Sequence, residues 1–465
     1  MTSTSTNANS GAAGQAAART PRGIFASLAG MFFLQLFVWG AWYVTIPLWL
    51  GKTALPETFA KWVADALPFT AALPAWLAAA ATNLYTWVYT VCPLSAILSP
   101  LFLGMIADRF FAPHKVFAAL HLAGAVFAGA ALWLVAAHPG AEPPAWLPAA
   151  FVVLLLGHAL CYMPTLALAN TIAFQHVRRL ETEFPVIRVF GTFGWIAACL
   201  VVGLPALGGG FTPAQLGVTG AAAALLGAGA FFLPKTVPPL KGKKTSLKET
   251  LGLEAVALLK DKNFAVFMLC SLLITVSLAG YFSSAAEFVN HAGFENPAAV
   301  MTLGQVSEVF FMLAMPLFFA RLGIKKMLFL SMAAWLLRYG VFATAADGPV
   351  RWLVVAGLLM HGICYDFFFV AGFIYVDRAA QRVRAQAQAF FVLVTQGVGM
   401  IVGMHLMGAI KTACMTTVTT PLPGGGAVAR SSLDWAGVWL PLAAMALVAT
   451  LLFALLFRET KKSGA

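Results

Sequence analysis

Long apolar runs constrain the fold of this chain more than any other feature of its sequence. Each run has at least the roughly 20 residues that a helix needs to cross the hydrocarbon core of a bilayer. Hydrophobic residues make up 61% of the chain and charged residues only 10%, whereas a soluble domain has about 25% charged residues. We therefore predict an all-α membrane protein with twelve transmembrane helices, at residues 24–50, 83–107, 115–137, 148–174, 186–208, 213–233, 264–288, 298–320, 326–346, 352–374, 386–411 and 435–457.

A basic connection after span six divides the predicted spans into two sets of six. The loops after spans two and eight hold the same place in the two sets, and both carry basic residues, with Arg109 in the first and Arg321 in the second. Internal repeats of this kind are typical of secondary transporters. We predict five regions: a disordered cytoplasmic tail (1–23), an N-terminal six-helix half (24–233), a cytoplasmic central loop (234–263), a C-terminal six-helix half (264–457) and a cytoplasmic tail (458–465).

The positive charge of the chain follows the predicted topology. The net charge is +12, and 22 of the 29 Lys and Arg residues fall in the tails and loops of one side. Cytoplasmic loops carry such an excess of basic residues, so we predict that both termini are cytoplasmic. Because topology explains the charge, no nucleic-acid partner is expected.

No motif in the sequence indicates a metal, a cofactor or an enzyme. The six cysteines are scattered without the CxxC spacing of metal sites, and the loops carry no HExxH motif or nucleophile–base pair. His121, His158, His361 and His405 are isolated within spans, and we interpret them as hydrogen-bonded core residues rather than proton relays. Protons are the expected coupling ion.

Span eight carries a polar pair near its middle. Gln305 and Glu308 are three residues apart, so they share a helix face. A carboxylate at the bilayer centre costs about 3 kcal/mol on insertion scales, and such groups face the bundle interior or a water-filled cavity. We predict that this face lines a central site.

Spans five and ten add polar residues at membrane depth. Asp366 follows Tyr365 within an aromatic run, and burial would favour its protonated form. Arg188 and Thr192 are four residues apart in span five, so they also share a face. The alternatives are a structural Asp366 that pairs with a distant arginine, and an Arg188 that extends to the cytoplasmic interface.

Spans seven, nine and one contain further candidates. Tyr281 and Ser284 are three residues apart near the end of span seven and are expected to line the same cavity. Arg338 in span nine either neutralises a membrane carboxylate or lies at the outer interface, and a structural role is favoured. The stripe around Trp39 in span one is equally compatible with a cavity wall and with helix packing. The whole set suits a neutral, polyhydroxylated ligand with a ring, and the buried acids suit proton coupling.

The loop after span two contains the pattern GxxxDR, formed by Gly104, Asp108 and Arg109. This pattern resembles the loop signature of the major facilitator superfamily, in which the Asp and Arg cap helix ends and lock the two halves together. A carboxylate at a helix N-terminus and an Arg at an interface can both act in this way. We therefore predict a gating loop here.

Six segments together resemble the bacterial nucleoside:proton symporter family of the major facilitator superfamily. They are Leu34–Thr45, Ala107–Arg109, Met163–Asn170, Pro185–Thr192, Gln305–Glu308 and Tyr365–Phe368. The resemblance implies a major facilitator fold of two six-helix halves. It also implies that the protein takes up nucleosides by proton symport with alternating access, across a bacterial inner membrane.

The resemblance also implies roles for individual residues. Positions in spans five, eight and ten that bind ligand or couple protons in the family correspond to Arg188, Thr192, Gln305, Glu308, Tyr365 and Asp366. Family members carry amide side chains in span seven, at positions that approximately correspond to Tyr281 and Ser284, which departs from the family pattern. Glu308 and Asp366 are the predicted proton-coupling residues.

Two other functions remain compatible with the sequence. One is a proton-coupled carrier of another polar metabolite, such as a sugar, and the other is a membrane receptor that does not transport. The expected partners are a nucleoside, protons and the lipid bilayer, and the protein is expected to be a monomer. The preferred base and the acid that carries the coupling proton do not follow from the sequence.

Overall fold

The computed structural model describes residues 19–102, 111–237, 253–346, 350–380, 383–421 and 427–458. The three residues of the predicted gating loop, Gly104, Asp108 and Arg109, lie outside the described residues. Most of the predicted tails and half of the predicted central loop also lie outside them.

Long apolar helices make up most of both halves, because a helix pairs its own backbone polar groups within lipid. The N-terminal half contains α1 (Arg22–Tyr43), α2 (Ile46–Leu50), α3 (Leu55–Ala66), α4 (Ala75–Thr82), α5 (Leu84–Phe102), α6 (Pro113–Ala136), α7 (Leu147–His176), α8 (Leu180–Val202) and α9 (Ala214–Ala230). The C-terminal half contains α10 (Lys262–His291), α11 (Pro297–Thr344), α12 (Arg351–Leu359), α13 (His361–Ala379), α14 (Arg384–Val392), α15 (Met400–Ala413) and α16 (Trp435–Leu456). A π-helical segment, Leu393–Gly399, joins α14 to α15, and short 3-10 turns lie at Pro68–Ala72, Pro205–Leu207 and Leu253–Lys260.

Several of these helices can cross a membrane. Within the described ranges, nine helices are long and apolar enough, and two apolar helices, Leu84–Ser99 and Ala214–Ala230, are shorter. Helix α11 has 48 residues, about twice the length of one span. The prediction of a helical protein with several membrane-spanning helices is therefore confirmed, whereas the count of twelve stays a prediction.

Helix α11 joins predicted spans eight and nine without the loop that the sequence suggested. Its two rods meet at Gly323, which has φ 67° and ψ 178° inside an otherwise helical stretch. This conformation is readily open only to glycine, and a Cβ at Gly323 would meet nothing within 4 Å. One residue with a permissive backbone thus turns the chain between the two rods.

The two long connections on the side away from the termini are ordered into regular elements. Residues 51–82 include α3, a 3-10 turn and α4, with Leu55, Phe59 and Val63 of α3 buried. Between α15 and α16, strand β1 (Met415–Pro421) pairs antiparallel with β2 (Ala427–Leu433). Threonine and valine in β1 favour this pairing because β-branched residues suit strands.

The two ends of the C-terminal half lie close together, and this half contacts the N-terminal half through α1 and α10. The amide N–H of Arg458 donates to Asn263 Oδ1 at the start of α10, and Tyr43 near the end of α1 packs against Phe282 of α10, with ring centroids 5.8 Å apart. We call the end of the bundle near Arg22 and Leu456 the terminal face, and the other end the opposite face.

At the opposite face the halves close against each other. Asn296 Nδ2, before α11, donates to the Gly203 carbonyl oxygen after α8 at 2.8 Å. Thr86 Oγ1 of α5 donates to the Met404 carbonyl oxygen of α15 at 3.5 Å. These two helix pairs, α8 with α11 and α5 with α15, bring the two halves together.

Small residues allow close helix packing beside the centre of the bundle. A Cβ at Gly194 of α8 would lie 1.9 Å from the Phe33 carbonyl oxygen of α1, and one at Gly191 would lie 2.8 Å from Leu36 Cδ1. Small residues at such interfaces let helix backbones approach in membranes. The close approach of α1 and α8 positions the polar residues of α8 beside the interface between the halves.

Candidate functional site

Four predicted site residues on three helices form one electrostatic group at the interface of the halves. Arg188 of α8 interacts with Glu308 of α11, and Glu308 interacts with Asp366 of α13. Tyr365 of α13 interacts with Glu308, Arg188 and Asp366. The structure therefore brings together one basic and two acidic side chains from both halves.

The members of this group differ in burial. The side chain of Asp366 is 2% exposed, and its Oδ2 atom has no hydrogen-bond partner in the described part of the chain. Glu308 and Tyr365 are partly buried, whereas Arg188 is exposed, with its guanidinium carbon 5.9 Å from the centre of the Phe32 ring. A buried carboxylate without a partner is unfavourable unless it is protonated or binds a ligand.

Neutral polar groups lie on the same helices. Thr192 is one turn beyond Arg188 on α8 and is 5% exposed. Gln305 is three residues before Glu308 on α11, is 8% exposed, and its Oε1 atom lacks a hydrogen-bond partner among the described residues. These side chains can bind hydroxyl and amide groups of a ligand, because an amide oxygen accepts and a threonine hydroxyl both donates and accepts.

Aromatic residues of the N-terminal half form a wall beside this group. The Trp39 ring lies 5.5 Å from Trp195 and 5.8 Å from Tyr162. Tyr43 lies 5.5 Å from Trp39 and interacts electrostatically with Tyr365 across the interface. The indole nitrogens of Trp39 and Trp195 have no hydrogen-bond partner in the described residues. Partly exposed rings of this kind suit stacking against a planar ligand.

Two members of this aromatic region were missed by sequence reasoning. Trp195 follows Thr192 by three residues and so shares its helix face, a signal that was available in the sequence. Phe282 of α10 packs on Tyr43 across the interface, but its neighbours along the chain gave no such signal. Trp39 belongs to the wall that the halves share, which favours the cavity-wall alternative for the span-one stripe.

Tyr281 and Ser284 lie in a different environment from the one we predicted. They are 1% and 0% exposed, so both side chains are enclosed by protein. The Tyr281 ring lies under the Arg338 guanidinium, with the guanidinium carbon 3.5 Å from the ring centre. Ser284 Oγ contacts Ser283 Oγ at 3.4 Å. Tyr281 also interacts electrostatically with Glu308, so it lies between the acidic group and Arg338.

Arg338 is fully buried, and neither environment predicted for it is correct. Its Nη1 atom donates to His361 Nδ1 at 3.1 Å, and its guanidinium carbon lies 5.3 Å from the Trp335 ring and 5.6 Å from the Phe342 ring. Among the described residues, no carboxylate forms a salt bridge with it. Aromatic faces attract cations by their quadrupole, and here they take the place of the expected carboxylate.

A second polar cluster joins three helices of the N-terminal half. Gln35 Nε2 of α1 donates to Thr165 Oγ1 of α7 at 2.7 Å, and Gln35 Oε1 pairs with His121 Nε2 of α6 at 3.0 Å. Tyr162 donates its hydroxyl to the Gln35 carbonyl oxygen at 2.7 Å. His121 is a hydrogen-bonded core residue as predicted, whereas His158 pairs with the Gly124 carbonyl oxygen through Nδ1 at 2.9 Å and its Nε2 has no partner in the described residues.

Charged residues also meet at the opposite face. Lys411 of α15 forms a salt bridge with Glu287 of α10, and both side chains are mostly buried. The Lys411 ammonium lies 5.6 Å from the centre of the Tyr85 ring of α5. Among the residues that the structure describes, no group of three or more His, Cys, Asp and Glu residues could hold a metal ion.

The chain is similar to known transporters over nearly its whole length. The sequence profile of a family described as "Nucleoside H+ symporter" matches residues 23–462. YegT of Escherichia coli (strain K12) is 39% identical over 443 residues, which cover 94% of each chain. The xanthosine permease of the same organism is 30% identical over 440 residues, covering 91% of this chain and 93% of the permease.

A solved structure agrees with these sequence matches. The crystal structure of the nucleoside transporter NupG superposes with a TM-score of 0.71 at 27% identity, over 94% of this chain and 100% of NupG. The match covers both halves, so the fold is of the type that NupG has, and the relationship is to transporters rather than to enzymes. This chain is a member of the nucleoside H+ symporter family.

Proposed function

We propose that this protein takes up nucleosides across the bacterial inner membrane by proton symport. The observation that carries the proposal is the group of Arg188, Glu308 and Asp366, which joins the two halves through charges at the centre of the bundle. Relatives named as a xanthosine permease and a nucleoside permease support the substrate class.

The proposed topology has twelve spans, two six-helix halves and cytoplasmic termini. The two rods of α11 would supply spans eight and nine, α12 with α13 span ten, and α14 with α15 span eleven. The positive-inside rule supports a cytoplasmic terminal face. On this topology the structure is closed toward the outside, since Asn296 and Thr86 link the halves at the opposite face. We propose that the monomer is the transporting unit.

The nucleoside would bind between the two halves. Its hydroxyl groups would pair with Thr192, Gln305 and Glu308, each of which can hydrogen-bond to a hydroxyl. Its base would stack near Tyr365, which is partly exposed, and Arg188 would donate to an oxygen of the ligand. We retain Tyr281 and Ser284 as proposed site residues that support the wall of the site, since both are buried.

Protonation would couple transport to the proton gradient. Closing the site around an ionised carboxylate requires its desolvation, which is costly unless the charge is paired. Protonated Asp366 or Glu308 removes this cost, so the loaded carrier can change its orientation. The gating-loop residues Gly104, Asp108 and Arg109 would then stabilise one orientation of the halves.

Proton movement in proteoliposomes tests this function. A pH dye is enclosed in vesicles that contain the purified protein, and uridine, adenosine or a hexose is added outside. We expect the vesicle interior to acidify with a nucleoside and not with the hexose. Acidification with the hexose alone would instead indicate a sugar carrier, and nucleoside binding without any accumulation would indicate a receptor.

A further inference from the structure

The buried arginine of the C-terminal half is the most unusual group outside the acidic centre. Arg338 is 0% exposed, and its Nη1 atom donates to His361 Nδ1 at 3.1 Å. The Tyr281 ring covers one face of the guanidinium, and the Cys364 thiol is close by. A charge that is buried without a salt bridge to a described carboxylate is costly.

The hydrogen bond from Arg338 determines which nitrogen of His361 carries a proton. A guanidinium has five N–H donors and no acceptor. His361 Nδ1 must therefore accept, so this nitrogen is unprotonated, the imidazole is neutral, and its proton is on Nε2. The tautomer of a histidine is set by the partner of its other nitrogen in this way.

The orientation of the His361 ring is fixed as well. It stacks on Tyr281 at 5.2 Å and on Tyr365 at 5.5 Å, with interplanar angles of 29° and 27°. A Cβ at Gly304, the neighbour of Gln305, would lie 3.4 Å from His361 Cβ. The imidazole is thus enclosed by the helices that carry the proposed site residues, and it is next to Tyr365.

The polar cluster of the N-terminal half holds a histidine with an amide. His121 pairs through Nε2 with Gln35 Oε1, and the amide of Gln35 also pairs with Thr165. A neutral network can therefore fix the position of a buried histidine. Fixing the position of His361 does not by itself require the charge of Arg338, so the arginine is expected to have a further role.

We propose that Arg338 is a specificity-determining positioning residue that makes His361 a permanent Nε2–H donor beside Tyr365. The proposal rests on the proposed nucleoside transport. A site with a fixed donor selects ligands that present an acceptor and rejects analogues that lack one, because the buried donor is otherwise unpaired. The acceptor is an oxygen of the nucleoside, either the O4 carbonyl oxygen of the base or the 2′- or 3′-hydroxyl of the ribose.

The experiment compares four variants in proteoliposomes. His361→Gln keeps a donor near the Nε2 position, and His361→Asn places its amide near Nδ1 instead. Arg338→Gln removes the cation, and the double variant Arg338→Gln/His361→Gln combines both changes. Arg351→Gln is the matched control, because Arg351 also donates hydrogen bonds, in its case to the Ala292 and Gly293 carbonyl oxygens, but is exposed at the opposite face. KM is measured for uridine, cytidine, 2′-deoxyuridine and 3′-deoxyuridine.

We expect His361→Asn and Arg338→Gln to raise KM for uridine about tenfold, which corresponds to one lost hydrogen bond in a buried site. Both variants should also reduce the preference of the transporter for uridine over one of the analogues. His361→Gln and Arg351→Gln should keep that preference. The double variant should resemble His361→Gln, since an amide needs no tautomer, and a purely structural role of Arg338 would not give this rescue. If a variant loses the preference for uridine over cytidine, the acceptor is on the base. If it loses the preference for uridine over a deoxy analogue, the acceptor is on the ribose.

The outcomes separate this inference from the function on which it rests. A wild-type protein that moves no nucleoside refutes the proposed function. If wild type transports uridine and His361→Asn leaves every preference unchanged, the inference alone is wrong. Should Arg338→Gln fail to fold, the two His361 variants still decide, because both retain Arg338.

Discussion

Each half contains a buried polar cluster, and the two clusters are built in opposite ways. In the N-terminal half, Gln35, His121 and Thr165 of α1, α6 and α7 form a neutral network with paired side chains. In the C-terminal half, Tyr281, Arg338 and His361 of α10, α11 and α13 form a cationic cluster held mainly by rings. Two atoms of its guanidinium, Nε and Nη2, have no hydrogen-bond partner in the described residues.

This difference separates scaffold from chemistry. A satisfied neutral network makes a well-defined core at small cost, because each net hydrogen bond stabilises by about 1 kcal/mol. A buried charge without a carboxylate partner is destabilising by itself, and it adjoins the acids Glu308 and Asp366 through Tyr281 and Tyr365. From this comparison we expect the N-terminal half to supply a rigid wall and the C-terminal half to supply the groups that change charge.

The largest expected effect is loss of coupling in Asp366→Asn. The amide cannot take up a proton, so the carrier can still exchange nucleoside but cannot concentrate it, and the accumulation ratio should fall to about one. Uptake and counterflow of labelled uridine in proteoliposomes measure the two activities separately.

The control for Asp366→Asn is Asp377→Asn on the same helix. Asp377 is exposed and pairs with Arg384 at 3.5 Å, so its amide variant should accumulate substrate like wild type. Uphill uptake by Asp366→Asn would contradict the assignment of proton coupling to the C-terminal half. In that case Glu308→Gln, otherwise expected mainly to weaken binding, would be the next variant.

Breaking the N-terminal network should instead reduce stability. Gln35→Leu leaves His121 and Thr165 without their partner, and a buried polar group without a partner costs about 1–3 kcal/mol. The melting temperature in detergent, followed by tryptophan fluorescence, should therefore decrease, while the ratio of protons to nucleoside stays unchanged. Gln175→Leu, at an exposed glutamine, is the matched control. A changed proton ratio in Gln35→Leu would show that the neutral cluster takes part in coupling.

A smaller effect is expected where the two halves meet. Asn296 caps α11 through the Ala299 N–H and also donates to Gly203 of the other half. Asn296→Ala should cost about 1 kcal/mol as a lost cap and also loosen the closed opposite face. In a background whose six cysteines are replaced by alanine, a cysteine introduced at Ser284 should then react faster with a maleimide applied from that face.

Asp261→Ala provides the control, because Asp261 caps α10 in the same manner, through the Phe264 N–H, but at the terminal face. It should lower stability by a similar amount without changing the labelling of position 284. Equal labelling rates in the two variants would mean that the bond between Asn296 and Gly203 does not hold the halves together.

The smallest expected effect concerns Cys414, which lies just beyond α15 at the opposite face. Partial burial and the carboxylate of Asp434 raise the pKa of the Cys414 thiol, so at neutral pH less of it is the reactive thiolate. Labelling by a membrane-impermeant maleimide should be slow, should speed up as the pH rises, and should be faster in Asp434→Asn. Labelling of intact cells would place this face outside, and its absence there with labelling of inverted vesicles would reverse the proposed topology.

The fold class could be read from the sequence because its signals are local and repeated. Apolar runs of sufficient length predict membrane helices one at a time, and the basic loop at 234–263 separates two sets. The break of α11 at Gly323 and the hairpin of β1 and β2 were not predicted. The break depends on the backbone conformation of a single residue. The hairpin depends on pairing between two strands.

Part of the candidate site could also be predicted from the sequence, because helical spacing is a local signal. Helical spacing placed Gln305 with Glu308 and Arg188 with Thr192, since neighbours on one face follow from 3.6 residues per turn. It could not place Tyr281 under Arg338, because that contact joins α10 to α11. Contacts between helices depend on how each helix is rotated about its axis. The substrate roles of these residues stay predictions until the variants are measured.

The closed opposite face has a consequence for how the protein behaves when no substrate is present. Among the described residues, its directional links between halves are two hydrogen bonds, from Asn296 to Gly203 and from Thr86 to Met404. At about 1 kcal/mol each, they contribute about 2 kcal/mol to the closed state, and a bias of that size would leave a minor conformer populated at a few per cent. An empty carrier would then visit its other orientation spontaneously, so ligand and proton would select among existing states rather than create them.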